Sequence, residues 1–97
     1  MPTYVILGKY TQEGIANIKT SAEKREAARK LFESIGGEFK DFYYTLGQYD
    51  FVIVCEAPDV EAMMKALLII AGKGEVRTET LPAIPADKGA EIIKELP

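Results

Sequence analysis

The sequence predicts an α+β fold in which four antiparallel strands form one sheet and two helices pack on one of its faces. Two segments with helical spacing of apolar residues are interleaved with four short runs rich in β-branched and aromatic residues, in the order strand, helix, strand, strand, helix, strand. Two strand-helix-strand halves of this size, joined by right-handed crossovers, give a ferredoxin-like βαββαβ sandwich. The 97 residues, 47% of them hydrophobic, suffice for a single domain over residues 1–97.

The predicted first strand covers residues 4–8 and is apolar on both faces. Alternation gives each face its own set, Tyr4, Ile6 and Gly8 on one and Val5 and Leu7 on the other. This pattern is typical of an interior strand that is covered on two sides. Residues 11–19 follow as a short or irregular helix, because Gly14 weakens the one helical turn there.

The first long helix begins at Thr20, which with Glu23 has the spacing of a capping box. Its buried stripe has helical spacing and consists of Ala28, Leu31, Phe32 and Ile35. Gly36 and Gly37 end the helix. Acidic side chains are interleaved with its basic ones, which favours a solvated, ion-paired face over an anion-binding patch.

The second and third strands are predicted at residues 38–46 and 50–56, joined by a tight turn in which Gly47 takes a positive φ. In the second strand, alternation separates two sets: Phe39, Asp41, Tyr43 and Thr45 on one face, and Lys40, Phe42, Tyr44 and Leu46 on the other. In the third strand both sets are apolar: Phe51, Ile53 and Cys55, and Val52 and Val54.

The second long helix is predicted to be capped by Asp59. Its apolar stripe is broad and consists of Val60, Met63, Met64, Leu67, Leu68 and Ala71. At this spacing the methionines favour core packing over a metal site. Residues 75–81 alternate and have a mostly polar face, which is typical of an edge strand. A short C-terminal helix is predicted at about residues 87–96.

Composition excludes several classes of function. The net charge of −3 argues against nucleic-acid binding, which needs a basic face. The absence of histidine removes histidine-based catalysis and the common zinc sites, and no acidic cluster has the spacing of a loop site, so we predict no metal and no cofactor. The single cysteine, Cys55, forms no internal disulfide and is interpreted as a core residue.

The first residues lack the pattern of a signal peptide. The longest apolar run, residues 66–71, is too short to cross a membrane. We therefore expect a cytoplasmic protein.

The two central strands also predict self-association. Two helices cover only one face of the sheet, and the other face would expose a larger apolar patch than soluble monomers usually tolerate. The sheet of a second copy is the simplest cover. We therefore expect a homodimer or higher oligomer with sheets packed face to face.

The run Gly47-Gln48-Tyr49-Asp50, with Glu56-Ala57-Pro58-Asp59 after the third strand, resembles the GYD domain family. Residues 4–11 and 76–81 are similar as well, so the resemblance covers nearly the whole chain. In this chain Gln48 stands between Gly47 and Tyr49. The resemblance implies membership of the dimeric α+β barrel group, whose members pair through their sheets, and it implies no particular activity.

The candidate site residues are two tyrosines and an aspartate near the turn and an arginine on the last strand: Tyr44, Tyr49, Asp50 and Arg77. Three functions are open. The first is a homo-oligomeric module that binds or senses a small molecule. The second is a cofactor-free isomerase or monooxygenase, with Asp50 as base, Tyr44 or Tyr49 as hydrogen-bond donor and Arg77 as a clamp for an anionic substrate. The third is a purely structural oligomer.

Each candidate also has a structural interpretation. Tyr49 and Asp50 can shape the hairpin, with the Asp50 carboxylate accepting hydrogen bonds from backbone N–H groups. Arg77 can be half of an ion pair with Glu75, Glu79 or Asp41.

Overall fold

The computed structural model describes all residues, 1–97, and contains a four-stranded antiparallel sheet with the strand order β2-β3-β1-β4. The elements follow one another as β1 (Thr3–Tyr10), α1 (Gln12–Ala16), a 3₁₀ turn (Ile18–Thr20), α2 (Ser21–Ser34), β2 (Glu38–Tyr44), β3 (Phe51–Glu56), α3 (Val60–Ala71), β4 (Val76–Ala83) and α4 (Ala86–Lys94). This confirms the predicted ferredoxin-like α+β fold, with β1 and β3 at the centre and β2 and β4 at the edges. It also confirms the short C-terminal helix.

The core lies between the sheet and helices α2 and α3. Its buried members come from both central strands and both helices: Tyr4, Ile6, Phe32, Phe51, Ile53, Cys55, Ala57, Met63 and Ala66. The opposite side of the sheet, which we call the open sheet face, carries Val5, Leu7, Val52, Val54 and Leu81. No helix of the chain covers it. The prediction that β1 and β3 are apolar on both faces is confirmed.

A β-bulge in β2 overturns the predicted alternation of that strand. Phe39 pairs with Cys55, but the next register pair is Asp41 with Val54, so Lys40 is the extra residue. The Lys40 ammonium lies 3.8 Å from the Glu38 carboxylate and 3.7 Å from the Glu56 carboxylate. The bulge brings three aromatic residues to the helix side of the sheet: Phe39, Phe42 and Tyr44. The prediction that Phe39 shares a face with Asp41 is therefore wrong.

The β2–β3 connection is a six-residue loop, residues 45–50, and not the tight turn that the sequence predicts. Thr45 closes it from one side, because its N–H donates to the Asp50 carbonyl at 2.9 Å and its hydroxyl to the Tyr49 carbonyl at 2.6 Å. Gly47 takes the predicted positive φ, at +104°. Leu46 is fully exposed at the loop tip.

One of the two predicted caps forms. Asp59 has an extended backbone and its carboxylate accepts from the Ala62 N–H at 2.8 Å, as predicted. Thr20 forms no side-chain cap, because its backbone (φ −94°, ψ 10°) continues the preceding 3₁₀ turn and its hydroxyl donates to the Asn17 carbonyl at 2.8 Å. The capping box with Glu23 is therefore wrong.

Helix α3 buries only part of its predicted stripe. Met63 and Ala66 are buried, with Leu67 and Ile70 packed against the core. Val60, Met64 and Leu68 are 60–64% exposed, so they form a second apolar stripe, on the side of the helix next to strand β4, that the chain leaves uncovered. The broad apolar stripe that the sequence predicts for this helix is therefore buried only in part, because the helix packs on one layer, the sheet.

Candidate functional site

A cavity of about 240 Å³ opens between helices α2 and α3 and the sheet beneath them. We call it the helix–sheet pocket. Its floor and walls come from every strand and from both long helices, chiefly Ile6, Tyr10, Leu31, Phe42, Phe51, Ile53, Leu67, Ile70 and Val76. This volume lies just below the range of about 300–1,000 Å³ that is usual for drug-sized ligands. The pocket therefore suits a small metabolite with an apolar body.

The floor of the pocket is a stack of aromatic rings. Phe42 and Phe51 lie nearly parallel with their centroids 5.3 Å apart, and Tyr10 packs against Phe51 at 5.2 Å. Two alanines of α2, Ala27 and Ala28, line the opposite wall and leave the space that larger side chains would fill. The stack is rigid and apolar, so it can bind a flat or branched hydrocarbon part.

Three hydroxyl groups form a row that begins in the pocket, where Tyr10 and Ser21 line its edge, and ends at Tyr44 outside the lining. The Tyr10 hydroxyl is 3.4 Å from Ser21 Oγ, and Ser21 Oγ is 2.6 Å from the Tyr44 hydroxyl. Burial raises the pKa of Tyr10 above its usual value, against a smaller lowering by the hydrogen bond with Ser21. The Tyr10 hydroxyl therefore keeps its proton, and it can donate to, or accept from, a polar group of a ligand.

The rim of the pocket carries more positive than negative charge. Lys24 of α2 forms an ion pair with Glu75, which precedes β4. The Arg25 guanidinium lies 5.8 Å from the centroid of the Phe42 ring, and Lys73 lines the rim without a carboxylate partner. Three cations against one carboxylate make the rim attractive to an anionic group.

Of the four residues predicted as a site, Tyr44 alone belongs to the hydroxyl row, which it joins through Ser21, and it is not itself among the residues that line the pocket. Asp50 lies outside the pocket lining. Its carboxylate accepts from the Tyr10 N–H at 2.9 Å, and its own N–H donates to the Gly8 carbonyl at 2.8 Å. Asp50 thus extends the pairing between β3 and β1 and fixes the backbone of a tyrosine that lines the pocket.

Tyr49 and Arg77 lie on the other side of the sheet. The Tyr49 hydroxyl donates to Glu79 at 3.0 Å, a bond that raises the pKa of Tyr49, and the Lys9 ammonium lies 5.5 Å from its ring centroid. Arg77 is opposite Lys9 in the β1–β4 register and forms none of the ion pairs considered for it. The four residues therefore do not form one site.

Most of the pocket leaves no signal in the sequence. Tyr10, Ser21 and Tyr44 belong to three separate segments that meet only in the folded chain. Lys24 and Arg25 match the solvated ion-paired face expected for the helix, and Arg29 of that helix does pair with Glu26 and Glu33.

Cys55 offers no reactive thiol. It is completely buried in the core, and burial raises its pKa to about 11, with a smaller rise from the neighbouring Glu56. The prediction that it is a core residue is confirmed. No group of three or more Cys, Asp or Glu side chains that could hold a metal ion is found, and none of the helices has the length and apolar character needed to span a bilayer.

A ferredoxin-like sheet with an apolar pocket under its helices defines a small α+β domain. The GYD domain family profile matches residues 4–93, and the chain belongs to this family, as its sequence predicts. A relative from Thermus thermophilus, the "Glutamine synthetase and cystathionine beta-lyase binding protein", is 36% identical over 97 residues, which cover 99% of each chain.

Two solved structures are similar in fold. The crystal structure of FFRP-DM1 has a TM-score of 0.53 at 24% identity and covers 87% of this chain and 100% of its own. TTHA0845 from Thermus thermophilus has a TM-score of 0.54 at 24% identity and covers 89% and 96%, respectively. At this identity both support the fold alone.

Proposed function

We propose that the protein is a homo-oligomeric module that binds a small molecule in the helix–sheet pocket and acts by sensing it. The observation that carries this proposal is the pocket itself, which combines an aromatic floor, the hydroxyls of Tyr10 and Ser21 and a cationic rim. This is the usual composition of a binding site, mostly apolar with a few placed polar groups. The ligand is an anion with a small apolar body, because the rim attracts negative charge and the floor excludes it.

The placement of acidic groups favours binding over the cofactor-free enzyme. Such an enzyme needs a free base within reach of the substrate. The Asp50 carboxylate is bonded to the Tyr10 N–H and lies outside the lining, and Glu75 is paired with Lys24. Neither carboxylate is positioned to take a proton from a molecule that occupies the pocket.

Small carboxylates with apolar bodies should raise the melting temperature, with octanoate and 4-hydroxybenzoate as first probes. A ligand at a hundred times its Kd adds about 2.7 kcal/mol, which corresponds to a rise in Tm of roughly 10–20 °C for a domain of this size. Differential scanning fluorimetry measures it. Lys73→Ala should weaken the binding, whereas Lys88→Ala, the same change on the exposed α4, should not.

If both lysine variants bind the carboxylate equally well, the cationic rim does not contribute to binding. If no carboxylate in the series changes Tm at millimolar concentration, the small-molecule proposal is wrong.

A second proposed function is binding to metabolic enzymes, which the name of the Thermus thermophilus relative supports. Immobilised protein should bind purified glutamine synthetase or cystathionine beta-lyase of that organism with a micromolar Kd, about −8 kcal/mol. Biolayer interferometry gives the Kd, and an unrelated metabolic enzyme at the same surface density is the control. If neither enzyme gives a larger response than this control, the protein does not bind them and the second proposed function is wrong.

Self-association through the open sheet face completes the proposal. Val5, Leu7, Val52 and Val54 lie side by side on the two central strands, with Leu81 on the neighbouring edge strand. Contiguous apolar surface of this kind usually marks an interface. A second sheet stacked on it would bury these side chains, in agreement with the arrangement that the family resemblance implies.

A further inference from the structure

Helix α4 has no packing partner in its own chain. None of its residues is buried, and the large apolar residues in and around it are 47–66% exposed: Ile84, Ile92, Ile93 and Leu96. A nine-residue helix is not stable in water without a surface to pack on, because forming its first turn costs more than the few hydrogen bonds return. The structure therefore requires a docking surface for α4.

An apolar groove of about 450 Å³ lies between α3 and the edge strand β4. It is lined by Tyr4, Met63, Leu67, Ala71 and Pro82 and by the exposed stripe Val60, Met64 and Leu68. We call it the α3–β4 groove. The stripe runs over the nine residues from Val60 to Leu68 and α4 also has nine residues, so each is about 14 Å long at 1.5 Å per residue. The groove and the helix thus match in length and in apolar character.

We propose that α4 of one copy docks in the α3–β4 groove of a second copy. The connection from β4 to α4 is only two residues, Ile84 and Pro85, and Pro85 has an extended backbone (φ −54°, ψ 145°). Proline fixes its own φ and restricts the residue before it to extended conformations. The helix therefore leaves the end of β4 and does not fold back onto the α3 of its own chain.

The chain exposes more surface than a compact monomer of its mass, and the excess is large enough for an interface with a second copy. The solvent-accessible area is 6616 Å², whereas a compact monomer of 10.7 kDa exposes about 5,500 Å². The radius of gyration is 14.7 Å, against about 12.5 Å for a compact domain of this length. The excess of about 1,100 Å² exceeds the roughly 800 Å² per partner that a standard interface buries. This inference rests on the proposed homo-oligomer and names a contact separate from the open sheet face.

Cysteine cross-linking between two single variants tests the contact. Leu68→Cys places a thiol in the groove and Ile93→Cys places one on α4, and the two full-length chains are mixed by refolding from urea and mildly oxidised. A disulfide requires Cα atoms about 4.4–6.8 Å apart. We expect a covalent dimer of twice 10.7 kDa on a non-reducing gel, at least about tenfold more abundant than with either variant alone.

The matched control replaces Leu68→Cys by Leu46→Cys, a fully exposed leucine outside the groove, and should give no covalent dimer. The buried Cys55 does not interfere. A second variant carries both Leu68→Cys and Ile93→Cys in one chain, and its conversion to a disulfide-closed monomer would show that α4 docks in its own chain and would overturn the proposal.

Sizing of the wild type separates this inference from the proposed function. An oligomeric wild type without the mixed disulfide overturns only the α4 contact. A wild type that remains monomeric up to high concentration overturns the homo-oligomer as well.

Discussion

Val52→Glu should abolish the proposed association of copies through the open sheet face and so lower the mass of the assembly. Val52 lies on the central strand β3 and points to the open sheet face, where a second sheet would surround it. A carboxylate there is buried without a partner in each copy. An unpaired buried charge costs about 3–5 kcal/mol, so the dissociation constant rises at least about a hundredfold. In the separate chain Val52 is only half-buried, and the carboxylate stays hydrated, so the fold is retained.

Light scattering coupled to size exclusion measures the mass, and circular dichroism verifies the fold. Ile15→Glu is the matched control, because Ile15 is an exposed apolar residue on α1, away from the open sheet face. It should leave the mass unchanged. If Val52→Glu has the same mass as the wild type over the same concentration range, copies do not associate through this face.

The order of the strands was predictable because the position of a strand in the sheet determines which of its residues are apolar. Apolar residues stand at successive positions in Val5-Ile6-Leu7 and in residues 51–55, and the two strands with this pattern are the central strands of the sheet. Asp59 was predictable for a similar reason, since an N-cap depends on residues within one helical turn.

Features that depend on distant residues were not predictable. The bulge at Lys40 is defined by the register against β3, and the alternation of β2 taken alone predicts the wrong face for Phe39. The candidates Tyr49 and Asp50 are adjacent in sequence but are bonded to different strands, Tyr49 to Glu79 of β4 and Asp50 to Tyr10 of β1. A glycine turn followed by polar residues marks a loop, and such a pattern does not say which strand its side chains will contact.

The helix–sheet pocket was not predictable from the sequence either. A cavity is defined by where side chains are small, and Ala27 and Ala28 on α2 look like ordinary helix formers in the sequence. The apolar residues of its floor belong to the core pattern as well, so a lined cavity and a filled core give nearly the same periodicity. The sequence therefore predicted the fold and the family, while the pocket required the packed arrangement.

Phe32→Ala should cause the largest loss of stability of any single truncation proposed for this chain. Phe32 of α2 is completely buried, and its ring lies 5.9 Å from the Phe39 ring. Phe→Ala changes in cores cost about 3–5 kcal/mol, which is a large part of the roughly 5–15 kcal/mol that stabilises a typical domain. The shift of the urea midpoint at constant m-value measures the loss.

Phe32→Ala should also weaken binding in the pocket, because Phe32 anchors the helix that carries Ser21, Lys24 and Arg25. Any carboxylate that stabilises the wild type should therefore stabilise Phe32→Ala less, even at temperatures where the variant remains folded. Leu46→Ala is the control, since Leu46 is fully exposed and its loss should change stability by less than about 0.5 kcal/mol. Equal midpoints for the two variants would mean that Phe32 does not hold α2 on the sheet, and the pocket would then need another support.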